Sequence, residues 1–318
     1  MLLILSNSQD ATTNYLAEQL GKKGVSFIRL DTDTIVTDAT FHYQIGIPRL
    51  SIAGNQYTPD KFSNVWNRRP ERLRYSSVEE SPERKLALDE WTEVLEAFLA
   101  HIPVNRWMNH PSVNVAASHK LNQLTTAAKI GFVVPKTLVT QDKDRLHQFF
   151  DECRGKIITK PMSSGYIKRR DSENDSLIYT NPVPKDALSD LSDLENCPTL
   201  FQEFVQKIAD VRITIVDQEI HAIELKALES DGSQRCDVRR NNMDDVVYRE
   251  ISLPLKIETT LRTIMRHYGL RFGAIDMATT TNGEWVFFEI NPNGQWAWLD
   301  LVGAANIAGS FTRSFANS

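Results

Sequence analysis

The chain has no apolar run approaching the roughly 18 residues of a membrane span. Met1-Leu2-Leu3-Ile4-Leu5 is too short for a signal peptide and lacks its basic flank. A cytoplasmic protein with no membrane partner is therefore expected. Cysteine is scarce: Cys153, Cys197 and Cys236 stand far apart without metal-ligand spacing, so reduced thiols are expected. Charge of one sign is also in short supply. A net −5 over 318 residues excludes a general nucleic-acid binder, though not a local basic pocket. No internal repeat or low-complexity stretch is present, and no Ser/His/Asp arrangement suggests acyl-enzyme chemistry. The first strand is followed by Asn7-Ser8-Gln9-Asp10 and no glycine-rich fingerprint, which argues against a dinucleotide site there.

What remains is ordinary globular composition, 41% hydrophobic and 24% charged, in a length that suits two or three structural units. The N-terminal third reads as α/β. Leu2 to Ser6 is a short apolar strand, Thr12 to Lys23 a helix with Tyr15, Leu16 and Leu20 on one face, and Val25 to Asp31 a second strand. That order predicts a parallel βαβ unit. Two short strands follow around Gly54-Asn55. Val65-Trp66-Asn67-Arg68-Arg69-Pro70 is a strand ending in two arginines, and Pro82 to His101 is a long helix with Leu88, Trp91, Leu95, Phe98 and Leu99 in a stripe. The functional reading of the two arginines places them where ligand sites gather in α/β sheets. The plain reading has Trp66 in the core and both arginines solvated.

From about Asn109 the pattern changes. A helix carrying Lys120, Leu121, Leu124 and Ala128 ends at Gly131, and a strand is expected over 132–137. A helix around Arg145 to Phe150 leads to strand Lys156–Pro161, then a small Ser/Gly loop, Met162-Ser163-Ser164-Gly165-Tyr166, then the basic run Lys168-Arg169-Arg170. That run could guide an acidic ligand or be a solvated turn balanced by the acids after it. Strand Thr199–Val205 stops before Asp210-Val211-Arg212. Near the C-terminus, Phe272 to Ala278 and Glu284 to Ile290 flank Thr281-Asn282-Gly283, where Asn-Gly is a strong hairpin signal. Such a hairpin brings Asp276 and Glu289 together with Asn291 just beyond. Two carboxylates and an amide oxygen suit Mg²⁺ held against nucleotide phosphates. An unpaired charge in such apolar strands would be costly, which speaks against a plain surface hairpin.

This order of lysines, small loop and acidic hairpin resembles the ATP-grasp superfamily, from about Asn109 to the C-terminus. The resemblance implies an N-terminal pre-ATP-grasp α/β domain (1–108) followed by a two-lobed α+β ATP-grasp fold, with a central lobe (109–198) and a C-terminal lobe holding the metal site (199–318). It places Lys120 and Lys160 on ATP phosphates, with the Ser164-Gly165 loop over them. Gln202, Glu203, Phe204 and Val205 fall on the hinge strand at the adenine edge. Asp210-Val211-Arg212 and Asp237-Val238-Arg239-Arg240-Asn241 look like the arginine-bearing strand and phosphate-side loop of the ribosomal-protein glutamate ligases. Asp210 then falls among the nucleotide contacts, Arg212, Arg239 and Asn241 have catalytic roles, and Asp276, Glu289 and Asn291 are metal ligands. The loop after Lys160 departs from the family in having no longer glycine run.

The Trp66-Asn67-Arg68-Arg69 and Glu289-Ile290-Asn291-Pro292-Asn293-Gly294-Gln295-Trp296 segments are similar to the microviridin-type, or graspetide, macrocyclases. Those commonly have Tyr where Asn67 stands. The implied activity is ATP- and Mg²⁺-dependent joining of Asp or Glu side chains of a precursor peptide to Thr or Ser (ω-ester) or Lys (ω-amide). The implied partner is that peptide, leader plus acidic core, and a homodimer is compatible with it. Alternatives are a ligase that adds a free amino acid to a protein or small-molecule carboxylate, and a nucleotide-binding regulator without turnover. Intact metal ligands speak against the regulator.

Overall fold

The computed structural model describes residues 1–44, 46–75, 81–163, 165–167, 176–240 and 243–316. β1 (Leu2–Ser6) is buried at every position, as an interior parallel strand must be. Asp10 caps α1 (Ala11–Lys22) by accepting the Thr13 amide, and β2 (Phe27–Asp31) returns parallel to β1 as predicted. α2 (Ile35–Asp38) leads into an antiparallel sheet of β3 (Ala39–Gln44), β4 (Ile47–Ile52) and β5 (Asn55–Tyr57), turning where Gly54-Asn55 predicts. β6 (Asn64–Asn67) re-enters beside β1. α3 (Pro82–Ala100) starts at the Ser81 cap and buries Leu95 and Phe98. β7 (Trp107–Met108) completes a parallel sheet of order β2-β1-β6-β7.

α4 (Pro111–Ser118) and α5 (Lys120–Ile130) follow, and α5 ends at Gly131 with φ +105. The strand expected over 132–137 does not form. Phe132 is drawn into the C-terminal core against Phe287, Val133 makes a single bridge to Val286, and Pro135 has no amide to give a ladder. The strand begins later, as β8 (Thr137–Thr140). After α6 (Lys143–Glu152) come β9 (Ile157–Thr159), the small pair β10 (Tyr166–Ile167) and β11 (Ser176–Leu177), β12 (Asn181–Pro182) and β13 (Thr199–Glu203). The central sheet has the order β12-β9-β13-β8. β13 thus lies inside it, and the passage to the next sheet comes at 204–206, later than the 198/199 division expected above.

The C-terminal sheet is antiparallel: β14 (Lys207–Val216), β15 (Glu219–Lys226), β16 (Val247–Glu250), then after α7 (Leu255–Tyr268) β17 (Phe272–Thr280) and β18 (Trp285–Asn291), in the order β16-β15-β14-β17-β18. One face packs on α5 and α7 through Leu124, Ala127, Val211, Ile213, Leu261 and Ile275. Against the other face lie α8 (Ala297–Leu301) and α9 (Ile307–Ala316). There Phe311 stacks on Trp296 and meets Trp66 of the N-terminal sheet, so first and last layers share one core. No helix among the described residues is long and apolar enough to cross a membrane.

Candidate active site

A cleft of about 880 Å³ opens between the central and C-terminal sheets. Three strands supply its floor by simple alternation. On β14, Val211 and Ile213 point into the core, which turns Asp210 and Arg212 to the cleft. On β17, Ile275 and Met277 are buried and Asp276 faces out between them. β18 breaks the alternation. Asp276 pairs with Glu289 but Met277 pairs with Phe287, so Phe288 is an extra residue in a bulge. The bulge keeps Phe287 in the core while Phe288 and Glu289 both reach the cleft. Lys160 and Lys207 lie over the Phe288 ring at 5.8 and 6.0 Å.

The acidic hairpin forms as the sequence predicts, with Asp276 opposite Glu289. Arg212 Nη1 donates to both Asp276 oxygens at 2.7 and 2.8 Å, and its Nη2 donates to the Gln295 carbonyl at 2.8 Å. Lys120, first residue of α5, sits 3.2 Å from Glu289 and 3.2 Å from the Pro161 carbonyl. Asn291 Nδ2 donates to Glu289 Oε1 at 2.9 Å. Burial opposes ionisation of Glu289, but Lys120 and Lys160 prevail, helped by the hydrogen bonds from Asn291 and Lys120, and the carboxyl falls to about 2. For Lys160 burial is the larger influence and lowers its ammonium, against the pull of Glu289. Asp210 is raised by burial in spite of Lys207, whose ammonium donates to it at 2.5 Å. Arg239 forks onto Asp237 at 2.9 and 2.6 Å, and that pairing raises the guanidinium.

Most of the residues expected at the site converge here: Lys120, Lys160, Gln202, Glu203, Phe204, Val205, Asp210, Arg212, Arg239, Asp276, Glu289 and Asn291 all line the cleft. Ser164, Asn241 and the run Lys168-Arg169-Arg170 lie outside the described residues. Gly165 is not brought to the cleft lining. It holds φ +69 beside Pro161, and its carbonyl accepts the Ile178 amide at 2.9 Å. In the hinge, the amides of Glu203 and Phe204 already bond the carbonyls of Lys136 and Lys156. The Val205 amide has no hydrogen bond to another described residue, which leaves it open to a ligand.

Several lining residues were not found by sequence reasoning. Lys207 carried no motif, and the bulge that exposes Phe288 leaves no composition signal. The plain reading of the Trp66-Asn67-Arg68-Arg69 strand holds for Trp66, which is in the core, and for Arg69, which is exposed on the cleft. It fails for Arg68, which is fully buried beside Asp10.

The donor set fits a hard divalent ion only with outside help. Among the described residues no three His, Cys, Asp or Glu side chains gather as a metal site. Asp276, Glu289 and Asn291 offer oxygens, and phosphate oxygens would complete the shell, with the surrounding lysines and arginines matching the phosphate charge. Two antiparallel sheets closing on such a cluster have the architecture of a nucleotide clamp.

Residues 1–114 match the MvdD pre-ATP grasp domain, and residues 122–285 match the ATP-grasp domain of prokaryotic glutathione synthetase. The chain belongs to the ATP-grasp family and is a ligase of it, with an MvdD-type domain in front. The fold therefore implies use of ATP and a divalent metal ion. No curated protein matches the chain by sequence. Among solved structures it is similar to macrocyclase MdnC of Microcystis aeruginosa MRC, crystallised with precursor peptide MdnA. That likeness has a TM-score of 0.84 at 27% identity, over 100% of this chain and 99% of the other. A RiPP-associated ATP-grasp ligase of Chryseobacterium gregarium, in complex with ADP and a leader and core peptide, gives 0.84 at 25% identity, over 99% and 96%. Macrocyclase MdnB of the same Microcystis strain gives 0.75 at 26%, over 99% and 98%.

Proposed function

We propose that this ligase uses ATP to activate Asp or Glu side chains of a ribosomally made precursor peptide. It then closes side-chain rings onto Thr or Ser hydroxyls as ω-esters, or onto Lys amines as ω-amides. The observation that carries the reading is the end-to-end likeness to a macrocyclase crystallised with its precursor peptide.

The chemistry follows from the groups. A free carboxylate is a poor acyl donor because its leaving group would be oxide. Transfer of the γ-phosphoryl group to a carboxylate oxygen releases ADP and leaves an acyl phosphate. The hydroxyl or amine then bonds to the carbonyl carbon, its proton is lost, and inorganic phosphate departs with the C–O bonding pair. The peptide loses one water per ring. Phosphoryl transfer needs alignment and charge neutralisation more than covalent help from the protein. Lys120 and Lys160 flank Glu289 and would take phosphate oxygens, and Arg212, fixed on Asp276, would hold the charge that develops between donor and acceptor. Arg239 stands exposed on the cleft with its fork on Asp237, suited with Asn241 to the acceptor carboxylate or the acyl phosphate. Asp276, Glu289 and Asn291 would hold Mg²⁺, whose charge would offset that of the nucleotide phosphates.

The test is mass spectrometry after incubation with ATP, Mg²⁺ and a precursor taken from a neighbouring short reading frame rich in Thr and Asp/Glu. The expected result is loss of one water per ring, with matching ADP release. A product heavier by one amino-acid residue would establish the free-amino-acid ligase instead.

A further inference from the structure

The Trp66-Asn67-Arg68-Arg69 segment has so far no part in the chemistry. Arg68 has no exposed side-chain surface, and its Nε lies 3.2 Å from the buried carboxylate of Asp10. The rest of the guanidinium reaches across to the loop that follows β18. Nη1 donates to the carbonyls of Asn293 at 2.5 Å and Gly294 at 3.0 Å, and Nη2 to Gln295 Oε1 at 2.7 Å. Thr12 of α1 donates to the same Gln295 oxygen. The backbone carbonyl of Gln295 is in turn the acceptor for Arg212 Nη2. Gly294 is pressed between these groups: a Cβ there would lie 2.4 Å from Ala274 Cβ and 3.1 Å from Arg212 Nη2.

A buried ion pair is a poor device for stability, because apolar residues of the same volume serve as well or better. Three of the four hydrogen bonds from the Arg68 side chain go to one loop, and that loop carries the acceptor for Arg212. We propose that Arg68 is a positioning residue: through the 293–295 loop it sets the guanidinium of Arg212, which makes the N-terminal domain a working part of the phosphoryl-transfer site. The proposal deepens the role given to Arg212 above and rests on it.

The test uses two variants of the full chain. Arg68→Lys keeps a charge beside Asp10 but cannot span the three loop acceptors. The double variant Asp10→Asn/Arg68→Met removes both buried charges together, so that no unpaired ion is left to unfold the protein. For both, kcat for peptide-dependent ADP release should fall at least about thirtyfold while KM for ATP stays within about threefold. The same changes in an Arg212→Lys background should lower kcat by less than about threefold, because the residue they act through is already gone. Hydrogen exchange at the Gly294 and Gln295 amides should quicken at least about tenfold, with the Glu203 amide of the central sheet unchanged. Equal fold losses in the two backgrounds, or unchanged exchange in the loop, would overturn the proposal. If the wild-type protein turns over no peptide, the macrocyclase reading falls, and the exchange measurement alone decides whether Arg68 holds the loop.

Discussion

Exchanging Glu289 for Gln removes one negative charge and leaves the shape of the site. The carboxyl is lowered from 4.5 to about 2 because Lys120 and Lys160 outweigh the effect of burial. At about 1.4 kcal/mol per pH unit, the ionised form contributes roughly 3 kcal/mol to folding at neutral pH. The sign is set by the depressed value. The contribution is complete above the unfolded-state value and disappears as pH falls from about 5 to about 2. Gln keeps an acceptor for Lys120 but leaves both ammonium groups without their anion. Urea unfolding followed by tryptophan fluorescence should therefore show Glu289→Gln less stable than wild type by up to roughly 3 kcal/mol at pH 7 and by roughly 1 kcal/mol at pH 3. In the folded variant, metal-dependent turnover should drop at least about a hundredfold, or ~2.7 kcal/mol of barrier. Stability profiles that run parallel from pH 7 to 3 would refute the charge argument. Wild-type turnover at saturating Mg²⁺ would refute the metal assignment.

Lys160→Ala should weaken ATP binding in isothermal titration and leave peptide affinity nearly unchanged; equal losses would make Lys160 a structural residue. Gly294→Ala forces a Cβ to within 2.4 Å of Ala274, so stability should fall by about 1–3 kcal/mol and kcat with it, read by thermal unfolding and ADP release. An unchanged melting temperature would show that the loop yields freely. Replacing Lys168, Arg169 and Arg170 together with Gln should slow ring formation at low salt and change little at high salt, because attraction over such distances is screened within about 8 Å at physiological strength. Unchanged rates at low salt would rule out a guiding role for these three residues.

What could be read from the sequence was mainly local. The two apolar runs over Phe272–Ala278 and Glu284–Ile290 and the Asn282-Gly283 turn between them are encoded within a few residues, and the acidic hairpin follows from them. The parallel β1-α1-β2 unit was legible for the same reason. Features set by distant partners were not. Phe132 leaves its expected strand because Phe287, far along the chain, supplies a better contact. The bulge at Phe288 depends on the register that β17 imposes. Arg68 looks like a surface residue beside Arg69 until the 293–295 loop is seen to cover it. The same holds for the pairing of β13, whose partners β8 and β9 lie far back in the chain.

The core shared between first and last layers bears on how the protein is made. Asn64 at the head of β6 bonds the Phe315 carbonyl, 251 residues later, and Trp66 is covered by Phe311 and Phe315. A ribosome adding about 5–20 residues per second needs roughly 10 to 50 s to cross that interval. Throughout it, Trp66 lacks the cover of Phe311 and Phe315, although Leu16 and Leu20 of α1 already lie on the same face. An N-terminal piece ending at residue 108 would keep Trp66 without that C-terminal cover and would expose it to self-association.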